Sequence, residues 1–265
     1  MFLNKIKNSI NCITLLFGFY FSILIKKKEI KKFINKLKPY QTNFQLIRLG
    51  DNHDGGYLIP DDLKNLYYCF TCGVGKNISF EQDLLKKKKI EFFFADGNVN
   101  RLPINHKNFN FIKKNISNIS NSKNFSINQF IKNKKKDKDY ILKIDIEGHE
   151  YKAIIDIERK YLKEARIIII EFHYMDRILR SGYYDSIEYC FNKILDTHVV
   201  VHIHPNNDAK PTTYRNFKIF SVLEITFLRK DRFFLKKNIK NFTNILDFQT
   251  NPNKKPLFIP NNYFN

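Results

Sequence analysis

Cysteine is sparse in this chain, and its placement excludes more than its number does. Among 265 residues only Cys12, Cys69, Cys72 and Cys190 occur, which is no disulfide framework. Cys69 and Cys72 form a C-x-x-C, but no second pair completes a zinc site, and no helix start lies between them to acidify a thiol. They read as core residues in a reducing compartment. Long apolar runs are also missing. The most apolar stretch, residues 10–25 (INCITLLFGFYFSILI), is interrupted by Asn11, Thr14 and Ser22 and has 16 residues, where a spanning helix needs about 20. No small-residue cleavage site precedes the lysines that follow, so it does not read as a cleaved signal. Lys5 and Lys7 stand before it and Lys26, Lys27 and Lys28 after it. Two readings stay open: an interfacial anchor on an anionic membrane surface, or a helix packed on the domain or on a partner. The expected setting is cytoplasmic, with membrane association through this segment as the alternative.

Acidic residues are short in supply, 26 against 46 basic ones, for a net charge of +20. The excess is spread along a chain rich in Lys, Asn and Ile and is not gathered into a motif. It reads as a basic, solvated surface, with an anionic membrane or polymer as the other partners; nucleic acid is not expected.

What is present points to one α/β domain, since 43% hydrophobic content can fill a core at this length. Residues 66–81 (LYYCFTCGVGKNISFE) are the organising stretch: an apolar strand to Cys72, a turn through Gly73 and Gly75, and a helix entry at Ser79 with Glu81 just inside. Two residues without Cβ beside a helix start leave N–H groups facing a crevice that suits a nucleotide-like cofactor. The next apolar run, 90–95, ends in Asp96, 23 positions after Gly73, where an acid takes ribose hydroxyls in doubly wound folds. A nicotinamide site would want a third glycine where Ile78 stands. S-adenosylmethionine, with a ribose and no pyrophosphate, fits better.

Around this unit the chain reads in order. A basic helix at 30–37 stops before Pro39. Residues 46–60 (LIRLGDNHDGGYLIP) are two apolar segments about a turn with Gly55 and Gly56, either a plain hairpin or a lid holding Asp51, His53 or Asp54 over the crevice. A third strand is expected at 109–113, a helix at 127–131, and a charged connection at 132–139. The fourth strand, 140–144, delivers Asp145 and Glu147. A helix at 150–162 leads to the fifth strand, 166–172, whose unbroken apolar run marks a central parallel strand and which delivers Glu171 and His173. A helix at 183–195 and a sixth strand at 198–204 follow, then a seventh at 217–228 whose alternation predicts an antiparallel edge. This order predicts a Rossmann-like, seven-stranded class I methyltransferase sheet flanked by helices, with the last strand antiparallel. The expected division is a basic and apolar helical segment at 1–40, a catalytic domain at 41–247 and an irregular tail at 248–265.

Six blocks carry a family resemblance: DGGYLIP (54–60), CGVGKNISFE (72–81), LKIDIEGHE (142–150), EFH (171–173), HIHPNN (202–207) and LEITFLRK (223–230). In these blocks and their order, over residues 46–247, the chain resembles the FkbM-like class I methyltransferases. The resemblance implies S-adenosylmethionine-dependent O-methylation, most often of a sugar hydroxyl in glycan biosynthesis, with a small-molecule or glycan acceptor. Cofactor contacts then fall to Gly73, Val74, Gly75, Asp96 and Asp145. There is one departure from the class pattern: Thr71 and Cys72 stand where an acid ends the first strand, which leaves the methionine amino group to Glu81 or to the 51–57 turn.

The chemistry asks for an acceptor oxygen aligned with the methyl and a base to remove its proton. His173 is the first candidate and Asp145 the second, as base or orienter; a strand-end histidine that only makes hydrogen bonds is the bland alternative. His202 and His204 share one strand face. With Asp145, Glu147 and His173 they raise a divalent-metal reading, against which stands the lack of any spaced ligand signature. The DIEG after strand four departs from the Asn/Asp-Pro-Pro-aromatic site of enzymes that methylate base amino groups. A fold that binds cofactor without catalysing transfer is the remaining alternative, and oligomeric state is open.

Overall fold

The computed structural model describes residues 2–132, 134–135, 137–232, 237–238 and 242–264. Helix α1 (Phe2–Thr14) opens the chain, and α2 (Lys27–Lys36) buries Ile30, Phe33 and Ile34 against the domain. Strands β1 (Leu46–Leu49) and β2 (Tyr57–Pro60) form an antiparallel hairpin with Leu49 opposite Tyr57. The alternating part follows as β3 (Tyr68–Cys72), α3 (Ser79–Lys87), β4 (Glu91–Ala95), β5 (Phe109–Ile112), α4 (Ile127–Ile131) and β6 (Tyr140–Ile144). After these come α5 (Glu150–Asp156), α6 (Arg159–Glu164), β7 (Ala165–Phe172), α7 (Ser181–Leu195), β8 (His198–Pro205), a small hairpin of β9 (Thr212–Tyr214) and β10 (Phe217–Ile219), and β11 (Leu223–Arg229).

Seven strands make one sheet in the order β8-β11-β7-β6-β3-β4-β5. From β7 through to β5 neighbours are parallel, and β11 is antiparallel to both β7 and β8. The predicted fold class therefore stands. The central strands are apolar on both faces because both faces are covered: Phe70, Leu142 and Ile168 look into one core layer with Phe33, Ile154 and Phe191, while Phe92, Ile141 and Ile169 join Phe80 and Leu84 in the other. Each such side chain contributes roughly 1.5–3 kcal/mol when fully buried.

Three expectations are corrected. The seventh strand begins at Leu223, since Phe217–Ile219 pairs with Thr212–Tyr214, and it lies inside the sheet with β8 as the edge. Its central residues Ile225, Thr226, Phe227 and Leu228 are all buried, so the alternation across 217–228 joined two separate strands. The helix expected at 150–162 is two helices. Ile157 turns extended (φ −57°, ψ 130°) between them, and Asn128 of α4 clamps the break, donating to the Asp156 carbonyl (3.0 Å) and accepting from Glu158 N (2.8 Å). The 10–25 stretch is not one helix either: Gly18 (φ +75°) reverses the chain after a 3-10 turn at Leu15–Phe17. Among the described residues no helix is long and apolar enough to cross a membrane. Residue 1 of the N-terminal segment, residues 133 and 136 of the charged connection, 233–236 and 239–241 at the end of the expected domain, and 265 of the tail lie outside the described residues. From 242 onward the chain, tail included, has little regular structure, yet Phe242, Ile259, Tyr263 and Phe264 are buried on the core.

Candidate active site

At the carboxyl end of β3 the chain passes through Gly73 (φ +82°) and Gly75 (φ +56°). A Cβ on Gly73 would stand 1.6 Å from the carbonyl oxygen of Asp145, so only glycine lets the ends of β3 and β6 meet. A Cβ on Gly75 would project into open space, and this bare main chain lines a crevice of about 600 Å³. Val74, Asp96, Asn98, Lys143, Asp145 and Tyr57 line it as well. The expectation of free N–H groups is corrected: Val74 N and Gly75 N donate to Asp96 Oδ2 at 2.9 and 3.1 Å, and Asn98 N donates to Asp96 Oδ1 at 2.7 Å. Asp96 is thereby fixed at the tip of β4 with its carboxylate on the crevice wall. A second hollow of about 670 Å³, walled by residues 39–46, 201–203 and 242–244, has Tyr40 and His202 as its ionisable groups, so size alone does not mark the reactive site.

The β1–β2 turn closes one side. Asn77 Nδ2 donates to Asp51 Oδ2 and to the Asp54 carbonyl, both at 2.9 Å, and Gly50 N donates to Asp83 Oδ2 at 3.0 Å. A Cβ on Gly56 would lie 1.9 Å from the Asp51 carbonyl, which accounts for glycine there. The turn is a hairpin and also a crevice wall: Asp54, Gly55 and Tyr57 reach the hollow, whereas Asp51 is engaged by Asn77 and His53 donates to the Gln249 carbonyl at 3.2 Å. Glu81 does not reach it. Fully buried, it accepts from Thr71 Oγ1 (2.7 Å) and from Lys143 Nζ (3.1 Å), so the expected contact to a methionine amino group is corrected as well. Burial alone would discharge Lys143, but Glu81 and Asp145 outweigh it and raise its pKa.

Beyond Tyr57, whose hydroxyl donates to Asp145 Oδ2 at 3.3 Å, the acids accumulate. Asp145, Glu171 and His173 bring one donor atom each to within 4.8 Å of one another. Glu171 is buried, accepts from Asn206 Nδ2 at 2.6 Å and sits opposite Glu224 in the β7–β11 register. Burial, then the charges of Asp145 and Glu224, push Glu171 well above the usual carboxyl range, and burial raises Asp145 despite Lys143 and His173. His173 Nδ1 meets Glu150 Oε1 at 3.0 Å, and Nε2 meets Glu147 Oε2 at 3.2 Å. Glu150 is itself held by Ile146 N (3.1 Å) and Gly148 N (3.0 Å). Burial disfavours a charge on His173, but the Glu150 hydrogen bond and the fields of Glu150, Asp145 and Glu147 prevail and raise its pKa. His202 and His204 are elsewhere: both lie on Asp247, at 2.8 and 3.7 Å, and burial pushes His204 down to about 4. Cys69 and Cys72 are buried free thiols that burial pushes up, as core residues should be.

The structure thus brings together Gly73, Val74, Gly75, Asp96 and Asp145, sets His173 just behind Asp145, and leaves out Glu81, His202 and His204. Glu224 and Asn206 were not among the expected site residues, and Glu171 and Tyr57 entered only as a strand end and as the last residue of the 51–57 turn. A charge at position 171 closing a run of four isoleucines, and another inside LEITFLRK, were the available signs.

Residues 52–248 match the Methyltransferase FkbM domain. The chain belongs to that family. Methyltransferase FkbM from Methylobacillus flagellatus KT aligns in structure at 13% identity and TM-score 0.37, covering 61% of this chain and 44% of that one. Precorrin-6y C5,15-methyltransferase from Geobacter metallireducens GS-15 aligns at 12% identity and TM-score 0.35, covering 78% and 92%. This chain therefore spans less than half the length of the Methylobacillus protein. No curated protein matches. Methyltransferases of the FkbM family use S-adenosylmethionine, and the crevice fits that group in kind: bare main chain at Gly75, a fixed carboxylate at Asp96 and room of about 600 Å³. In the acid cluster of this FkbM-family chain both nitrogens of His173 meet carboxylates, while Asn206 takes one oxygen of Glu171 and Tyr57 one oxygen of Asp145.

Proposed function

We propose that this FkbM-family methyltransferase transfers a methyl group to a hydroxyl oxygen of a sugar or glycan-type acceptor, and that Asp145 receives the acceptor's proton. The observation that carries this reading is Asp145 itself: it lines the crevice beside Gly73 while its other neighbours, Glu171 and His173, mark the way towards the acceptor side. Bound S-adenosylmethionine supplies an electrophilic methyl, so the protein's task is alignment and proton removal. Gly73, Val74 and Gly75 give the main-chain floor, Asp96 faces the ribose, and Asp54 and Tyr57 wall the side left by Glu81. A carboxyl raised above its ordinary range is a stronger base once ionised. His173, gripped by Glu147 and Glu150, acts as a positioning residue whose positive charge, with that of Lys143, pulls the pKa of Asp145 down against its burial. This scheme uses no bound cation, so a chelator should leave the rate unchanged.

Calorimetry with S-adenosylhomocysteine and mass spectrometry of candidate glycans for the added methyl test the proposal in sequence. Asp145→Asn should lower kcat by about 10²–10⁴-fold with cofactor affinity kept within a few-fold. His173 lowers the pKa of Asp145, so His173→Gln should move the acid limb of the rate profile to higher pH. If His173 is instead the base, that limb disappears in His173→Gln, and Asp145 does not receive the proton. A folded protein that does not bind S-adenosylhomocysteine would remove the whole reading.

A further inference from the structure

Away from the crevice, residues 2–25 form a finger. Past the end of α1 the chain reverses at Gly18 and returns beside the helix, with Phe19 N donating to the Thr14 carbonyl at 3.0 Å. Asn11, only 5% exposed, clamps the two arms: Nδ2 donates to the Phe21 carbonyl at 2.8 Å and Oδ1 accepts from Phe21 N at 2.7 Å. The base is tied to the domain by Ile25 N to the Leu179 carbonyl (2.9 Å), a bridge between Leu24 and Arg180, and the Tyr214 hydroxyl on the Ile25 carbonyl (2.9 Å). Leu179 ends the short turn that starts two residues after His173.

This finger holds its apolar side chains outward. Leu16 is 82% exposed, Phe17 73%, Tyr20 65% and Phe19 64%. Of the 23 exposed large apolar residues among the described ones, 11 lie between Ile6 and Leu24. A folded chain does not gather nearly half its exposed apolar residues in one short projection without something to cover them. The surroundings say what that is. Residues 1–38 hold nine lysines against one acid, Glu29, and Lys5, Lys26, Lys27, Lys28, Lys31 and Lys32 are exposed around the finger. Two copies packed tip to tip would bring these charges together, whereas a negatively charged bilayer accepts both the apolar tip and the lysines.

We infer that the finger seats this protein on an anionic lipid surface, with the Leu16–Phe21 tip in the headgroup and acyl boundary and the lysines against the headgroups. It lies in the interface and does not span, since no described helix is long enough to cross. The acceptor class narrows accordingly to glycans presented at a membrane, such as a lipid-linked sugar; that clause rests on the proposed O-transfer, and the docking does not.

Sedimentation of the full chain with vesicles, without cofactor or acceptor, tests the docking alone. Vesicles containing phosphatidylglycerol should carry the protein down, and pure phosphatidylcholine should not. Leu16→Asp with Phe17→Asp should cut partitioning at least tenfold while the thermal midpoint and S-adenosylhomocysteine binding stay as in the parent. Because the chain has no tryptophan, Phe17→Trp adds a single reporter, whose emission should shift to the blue with anionic vesicles. The inference is overturned if the parent stays in solution with anionic vesicles, if the double variant binds as well as the parent, if the reporter does not shift, or if the tip variants abolish a dimer and no vesicle binding is seen.

Discussion

The two ends of the central sheet handle charge in opposite ways. At the amino ends, Arg166 of β7 donates to Asp139 at 2.8 and 2.6 Å and to the Asp62 carbonyl at 3.1 Å. Because β11 runs antiparallel, its last residue Arg229 arrives at the same end and reaches Asp139 at 2.7 and 3.0 Å, while Arg232 grips Asp62 at 2.7 and 2.8 Å. Two carboxylates are thus enclosed by three guanidinium groups. At the carboxyl ends, Asp145, Glu171 and Glu224 gather behind the crevice, and burial first, then neighbouring acids, raises all three: Glu147 and Glu150 act on Asp145, Asp145 and Glu224 on Glu171, and Asp145 and Asp247 on Glu224. One end is settled within the fold. The other keeps a strained set of charges where ligands arrive, as functional sites commonly do.

The largest effect is expected from opening the settled end. Arg166→Met leaves buried Asp62 and half-buried Asp139 short of partners and should cost about 3–5 kcal/mol in denaturant unfolding. Next comes the hinge between β3 and β6: Gly73→Ala, with its left-handed φ and a Cβ driven onto the Asp145 carbonyl, should cost more than about 1 kcal/mol and abolish S-adenosylhomocysteine binding. Glu171→Gln should sharpen the contrast, because it removes a carboxyl whose ionised form burial and its acidic neighbours disfavour. Unfolding free energy should stay within about 0.5 kcal/mol of the parent or rise, while methyl transfer falls.

The smallest effect is in pH dependence, and its sign differs between the ends. Burial works against charge on Asp139, but Arg229 and Arg166 prevail and hold it below 3.8. Its contribution is therefore present above that pH and is lost as pH falls through the lowered value. Burial pushes Glu224 from 4.5 up to about 8. Its contribution is whole below 4.5 and fades as pH rises through about 8. Glu224 is only partly covered from solvent, so the change is modest. Asp139→Asn should flatten the decline in thermal midpoint at low pH, and Glu224→Gln the decline between 4.5 and about 8; the reverse pattern would break the comparison.

The sequence made the crevice end legible wherever local pattern decides structure. Apolar runs placed β3, β4, β6 and β7, and the residue closing such a run is by geometry at the strand's carboxyl end, which found Asp96, Asp145 and His173. Partners from distant elements were not legible. Nothing local reveals that Asn128 splits the helix after Asp156, or that Asp247 draws off His202 and His204. Glu81 shows the boundary: a lysine inside YILKI demands a buried acid, but the sequence does not say which one, and Lys143 chose Glu81. The position of β11 inside the sheet likewise depends on a chain reversal that alternation cannot display.

The carboxylate of Asp96 already accepts from the amides of the glycine turn. In many nucleotide folds such amides welcome phosphate; in this chain an incoming phosphoryl oxygen would meet negative charge in their place. The main-chain donors that would cradle a pyrophosphate are thus already spent inside the fold, on the side chain that closes the neighbouring strand.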